Sequence, residues 1–285
     1  MFQSPAPALL VACLCATVSL GAQKLTAEQL VSEHLAVSLP AASGAGDQRL
    51  EVRGSCATTS PARAAGQLVG TFRLASGGES SRLTLRFDND RYEGEDVTFE
   101  AGEVEIGFAQ PRTSSRSALG NFLAVNRVIV GEGMLGGVLN ARWPLRHLSR
   151  RQAKVQYDGM KKLHGRDLHR LRYRAKQGQR SLEIHLYFEP DTYRHVASVY
   201  ATSQTQALGF GPESSSRESD QHFRLEETFS DFVPVGDQML PRSWTLRYER
   251  SANTSTEWKY ELTVESVDDR QVPTRQALFE APRRG

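Results

Sequence analysis

The sequence predicts a mainly β (α+β) protein, a large curved antiparallel sheet of roughly 11–12 strands forming an incomplete barrel, with an N-terminal helix and a central helical segment. Three observations carry this. Apolar and polar residues alternate with a period of two along most of the 285 residues, as in Leu182, Ile184, Leu186 and Phe188 against Glu183, His185, Tyr187 and Glu189. The alternating runs are joined by short turn-forming stretches such as Lys176 to Gln179 and Pro190-Asp191-Thr192, which suit antiparallel neighbours. Between about Ser114 and Leu148 the period changes to a helical one, so a different kind of element interrupts the strands. No long alternation of strand with helix occurs, which excludes a doubly wound parallel sheet.

The elements follow in order. Ala8 to Leu20 is an apolar run too short to span a bilayer, followed by Gly21-Ala22, and residues 1–22 read as a cleaved export signal although no Lys or Arg precedes the run. Leu10-Val11-Ala12-Cys13 is a weaker alternative, a lipid anchor on Cys13. With Cys13 and Cys15 removed, Cys56 is the one remaining thiol and is read as a strand residue packed among neighbours. Thr26 opens a helix to about Ala36, with Gln29 completing a capping box, Leu25 and Leu30 placed as a staple, and Leu30, Val31 and Leu35 on one stripe. Five strands follow. They place Leu50, Val52 and Cys56, then Phe72 and Leu74, then Leu83, Leu85 and Phe87, then Val97 and Phe99, then Ile106 and Phe108 on one face.

The segment from 114 to 148 sets Leu119, Phe122 and Leu123, then Met134, Leu135, Val138 and Leu139, at helical spacing, with Gly131, Gly133, Gly136 and Gly137 as joints. It ends in a basic run, Arg142, Arg146, His147, Arg150 and Arg151, read as a solvated surface. A strand at about Ala153 to Tyr157 precedes the meander around Leu171, Tyr173 and Ile184 to Phe188. Later strands carry Phe223, Leu225 and Phe229, then Trp244, Leu246 and Tyr248, then Trp258, Tyr260, Leu262 and Val264. Residues 23–285 are read as a single domain with the helical segment inserted.

Functional motifs are sparse. Net charge is +2 with mixed signs, which gives no footprint for nucleic acid. Gly131-Glu132-Gly133-Met134-Leu135-Gly136 matches a dinucleotide fingerprint in spelling, but that chemistry requires a parallel βαβ unit, and antiparallel runs flank it here. His164-Gly165-Arg166-Asp167 resembles a kinase catalytic loop without its companions and reads as a turn. The histidines lie at unrelated spacings, and no nucleophile elbow or triad stands out, so no catalytic residue, metal site or cofactor is assigned and the chain is not read as an enzyme. Asn253-Thr254-Ser255 fits a glycosylation sequon and is treated as chance.

A many-stranded sheet with one apolar face can fold on itself as a sandwich, close as a filled barrel, or curl around a cavity plugged by other elements. The last uses the opening helix and the glycine-jointed segment as cover. The exported start, the helix from Thr26 to Ala36, the strands with Leu171-Arg172-Tyr173 and Ile184 to Phe188, and the stretch from Phe229-Ser230-Asp231-Phe232 through Leu240-Pro241 to Trp244 resemble bacterial outer-membrane lipoprotein-sorting proteins of the LolA and LppX type. The resemblance implies a half-barrel with a helical lid over a hydrophobic cavity and a periplasmic carrier of lipids or lipoproteins, served by membrane-bound donors and acceptors and acting as a monomer. The expected cavity wall is Phe72, Leu74, Leu85, Phe87, Ile106, Phe108, Ile184, Leu186, Phe188 and Leu246, and the expected lid is Leu119, Phe122, Leu123, Met134 and Leu135. An acyl chain of ~16 carbons gains ~12 kcal/mol on burial at ~0.8 kcal/mol per methylene, before ordering costs. The alternative is an exported structural or interaction domain whose core is filled by its own side chains.

Overall fold

The computed structural model describes residues 25–38, 49–59, 67–90, 92–107, 116–178, 181–207, 218–236, 238–251 and 255–268. The stretch expected to be an export signal, Phe108, and Asn253 and Thr254 of the sequon lie outside the described residues.

Helix α1 spans Ala27–Ser38, and its start is held as the sequence implies: Thr26 N–H donates to Gln29 Oε1 at 2.9 Å and Gln29 N–H to Thr26 Oγ1 at 3.2 Å. Its buried stripe is Ala27, Leu30, Val31, His34 and Ser38. The expected stripe residue Leu35 is only partly buried, and His34 is fully enclosed beside it.

The strands are β1 Arg49–Thr59, β2 Leu68–Gly77, β3 Ser80–Phe87, β4 Gly94–Glu100, β5 Glu103–Gly107, β6 Lys154–Leu163, β7 Arg166–Arg174, β8 Glu183–Phe188, β9 His195–Ala207, β10 Glu218–Val235, β11 Gln238–Ser251 and β12 Ser255–Asp268. All twelve form one sheet in the order β5-β4-β3-β2-β1-β12-β11-β10-β9-β8-β7-β6, antiparallel at every pairing and not closed into a barrel. Two meanders are thus joined through β1 and β12. The edges are β5 and β6, consecutive in the chain, so their connection must cross the face of the sheet. That connection is the helical segment: α2 Ala118–Val125, α3 Val128–Gly131, a 3₁₀ turn at Gly137–Leu139, another at Pro144–His147, and α4 Leu148–Arg151.

The sheet is strongly curled. Laid flat, β5 and β7 would stand ten spacings apart, ~48 Å at ~4.8 Å each. Yet consecutive residues of the helical segment reach both: a Cβ on Gly131 would lie 3.8 Å from Val104 of β5, and Glu132 accepts a 2.6 Å hydrogen bond from Tyr173 OH of β7. The concave face and the helical cover share one apolar cluster running from Ile106 near one edge to Leu171 and Tyr173 near the other.

The opposite face is mostly polar and carries cross-strand ion pairs such as Arg73 with Glu51, at 2.7 Å, and Arg247 with Glu257, at 2.9 Å. The expectation of one wet face fails at β8, where His185 and Tyr187 are buried. A bulge between Tyr157 and Met160, with Gly159 at φ +81°, bends the β6–β7 hairpin. Its tip reaches β10, where His164 Nε2 pairs with Glu226. Leu163 and Leu168 thereby join Tyr187, Val196, Ala197 and Val199 in a second, smaller apolar cluster. His164 (φ +48°) and Gly165 (φ +79°) form the hairpin turn itself.

Candidate functional site

Nine of the ten expected wall residues and all five expected lid residues are buried in the larger apolar cluster, and Phe108 is the one outside the described residues. Period-two alternation put the wall residues on the concave face, and the topology then carried the helices over them. Phe122 packs against Tyr248 at 5.5 Å between ring centroids. In this closed arrangement the cover fills the concavity. Among the described residues, one void of about 10 Å³ lies between Leu74, Leu83, Val97, Val130 and Leu135, room for roughly one water molecule. The nine described wall residues lie beneath this cover and are closed off from solvent.

The seam between cover and sheet is polar at discrete points. Glu227 on β10 lies in register with Leu225 and Phe229 on the apolar side and is fully buried. Its Oε1 accepts from the Gly136 N–H at 2.9 Å and from Trp244 Nε1 at 3.0 Å, and its Oε2 from Tyr200 OH at 2.7 Å. Burial pushes the carboxyl up to about 7, against the pull of its three donors. The Gly136 amide can approach so closely because the residue has φ +84° and no side chain; a Cβ there would sit 2.6 Å from Leu74 Cδ2.

Glu95 on β4 is the counterpart at the other end of the cover. It accepts from Tyr92 OH at 2.7 Å, Tyr92 OH lies 3.0 Å from Tyr260 OH, and the Ser117 hydroxyl faces the carboxyl. Ser117 also caps α2 through the Gly120 N–H at 2.8 Å. Burial again raises the acid, to about 7, with Ser117 and Tyr92 opposing.

A third joint is aromatic. Trp143 Nε1 donates to His34 Nε2 at 3.0 Å, so the ring proton sits on Nδ1 and is donated to the carbonyl of Tyr193 at 3.1 Å. Tyr193 itself is held at φ +53°, an uncommon conformation for a large side chain. Burial lowers His34 to about 4, and His195, 4.6 Å from the Trp143 ring, is depressed for the same reason. Both are neutral at physiological pH. Further fastenings are the Ala141 N–H to Ser76 Oγ, at 2.8 Å, the Tyr173 hydroxyl to Glu132, at 2.6 Å, and Arg142 Nη1 to Ser81 Oγ, at 3.4 Å. Arg142, lodged 3.7 Å over the Phe99 ring, donates to the Gly131 carbonyl at 2.7 Å, and burial pulls it down to about 10.

The glycines of the dinucleotide-like motif are joints of this cover, with positive φ at Gly133 and Gly136, and among the described residues every strand pair is antiparallel. Cys56 is buried on β1, its thiol pushed up to about 12 by burial, and is unsuited to nucleophilic chemistry. Sequence reasoning missed Glu227, Glu95, His34 and Trp143. The signal was present: carboxylates at 227 and 95 share the parity of Leu225 and Phe229 and of Val97 and Phe99, and His34 completes the spacing of Leu30 and Val31.

No family model matches the sequence, and no curated protein matches it either. Among solved structures, the chain is similar to a LolA superfamily protein from Nitrosomonas europaea, with 12% identity, 90% of this chain and 98% of that one covered, and a TM-score of 0.47. A DUF1329 family protein from Desulfovibrio piger matches at 11% identity over 89% of this chain and 96% of that one, with a TM-score of 0.42. MucB in complex with MucA(peri) matches at 9% identity over 86% and 100% of the two chains, with a TM-score of 0.21.

Proposed function

We propose that this protein is an exported, periplasmic carrier or binding protein for a hydrophobic acylated ligand, a lipid or the acyl chains of a lipoprotein, held against the concave face when the helical cover swings aside. The observation that supports this reading best is the construction of the cover. The cover is a chain of short helices jointed at left-handed glycines, and besides its apolar packing it is fastened to the sheet by isolated buried hydrogen bonds, which a rearranged cover can exchange for water. Beneath it, Phe72, Leu74, Leu85, Ile184, Leu186 and Leu246 offer a continuous apolar wall. The role is one of binding rather than catalysis, with cargo received from and delivered to membrane-bound partners.

A second reading is favoured by the small void: an exported scaffold or interaction domain whose interior is its own cover. Native mass spectrometry of the protein purified from its own membrane-containing lysate separates the two. Co-purified lipid mass, or stoichiometric uptake of a fluorescent fatty acid, supports the carrier. A ligand-free protein that also rejects the fluorescent fatty acid supports the scaffold.

A further inference from the structure

Glu227 and Glu95 are carboxyls enclosed between cover and sheet, and among the described residues no cation pairs with either. The ionisable groups facing Glu227 are Tyr200 from β9, with Trp244 of β11 and the Gly136 amide as neutral donors. Those facing Glu95 are Tyr92 and, through it, Tyr260 of β12, with the Ser117 hydroxyl from the start of α2. His195 and His34 stand beyond, within the aromatic joint around Trp143, and are neutral. We propose that the ionisation state of Glu227 and Glu95 gates the helical cover, which is held shut while both carboxyls are neutral and loosened when they ionise. This deepens the reading above by naming the regulation of the same lid, and it needs the cover to be movable but not any particular cargo.

A neutral carboxylic acid can keep accepting from Gly136 and Trp244 through its carbonyl oxygen while its hydroxyl turns to Tyr200. An ionised one must stay buried without a counter-charge, and an opened cover hydrates it. The closed form therefore holds protons that the open form releases. Both acids are raised to about 7 in the closed form, from an ordinary value of 4.5. The opening equilibrium then rises with pH from about 4.5 and levels off above about 7, by roughly 20-fold per carboxyl between pH 5.5 and 7.5.

Hydrogen exchange of the lipid-free protein tests this, with each rate corrected for the intrinsic effect of pH. In the wild type, protection of the cover amides of Gly136, Leu139 and Gly120 should fall steeply from pH 5.5 to 7.5, while that of Leu83 and Val97 in the sheet stays level. Glu227→Gln should remove about half of that slope on a logarithmic scale, and Glu227→Gln with Glu95→Gln nearly all of it. Equal slopes in wild type and variants, or wild-type cover amides that track the sheet amides at every pH, would overturn the proposal. If the double variant misfolds, the single variants and the wild-type comparison of cover with sheet still decide. Acyl-ligand uptake plays no part in this readout, so a pH-gated cover on a protein that binds no lipid would sink the carrier reading and leave the gate standing.

Discussion

Replacing Glu227 with Gln makes a prediction that changes sign with pH. In the wild type the folded protein holds this carboxyl at about 7 and the unfolded chain near 4.5. The folded state thus binds more protons in that window. Stability contributed by this group is complete below about 4.5 and is lost as pH rises through about 7. The difference of two and a half pH units corresponds to about 3 kcal/mol lost by pH 8, at ~1.4 kcal/mol per unit. Glutamine carries no charge, its carbonyl can accept from Gly136 and Trp244, and its amide must find a new arrangement with Tyr200, at a cost of about 1 kcal/mol. Urea unfolding should therefore find Glu227→Gln less stable than wild type by about 1 kcal/mol at pH 4, nearly equal to it at pH 5, and more stable by about 2 kcal/mol at pH 8. Glu95 titrates alike in both proteins, so the difference isolates position 227. A stability difference that does not vary with pH would refute the reasoning.

The other expectations follow from single contacts. Gly136→Ala should destabilise by about 1–3 kcal/mol in urea unfolding, because its φ of +84° suits glycine and a Cβ would press on Leu74, whereas Gly78→Ala, at φ +54° with open space around it, should cost only about 1 kcal/mol. Trp143→Phe leaves His34 Nε2 without its donor inside the core and should cost about 1–3 kcal/mol by the same assay. Phe122→Asp places a charge where the cover meets Tyr248, and it should reduce uptake of a fluorescent fatty acid more than it reduces the unfolding midpoint. Equal loss of both would count against Phe122 as part of a movable lid.

The strands were legible because alternation is a local property. Leu83, Leu85 and Phe87 share a face by spacing alone, and the structure places them together. The helical insertion was legible by its change of period. Its place across the sheet was not, because only the pairing of β1 with β12 makes β5 and β6 the two edges that the insertion must connect. The burial of Tyr187 likewise depends on the hairpin bend at Gly159, which no alternation reveals. Glu227 and Glu95 were readable in principle as charges at apolar parity. Their partners Gly136 and Ser117 come from distant parts of the chain, and only the folded arrangement brings them together.

The central claim is that the concave face is available to an acyl chain when the cover leaves it. Gly131 on α3 and Val104 on β5 are in side-chain reach, so a disulfide between Gly131→Cys and Val104→Cys would fasten the cover, while the buried Cys56 stays inert to a mild oxidant. Binding of a fluorescent fatty acid of ~16 carbons to the oxidised and reduced forms is the direct measurement. The reduced protein should bind stoichiometrically and the oxidised protein should not; no binding by either form, or equal binding by both, would contradict the claim.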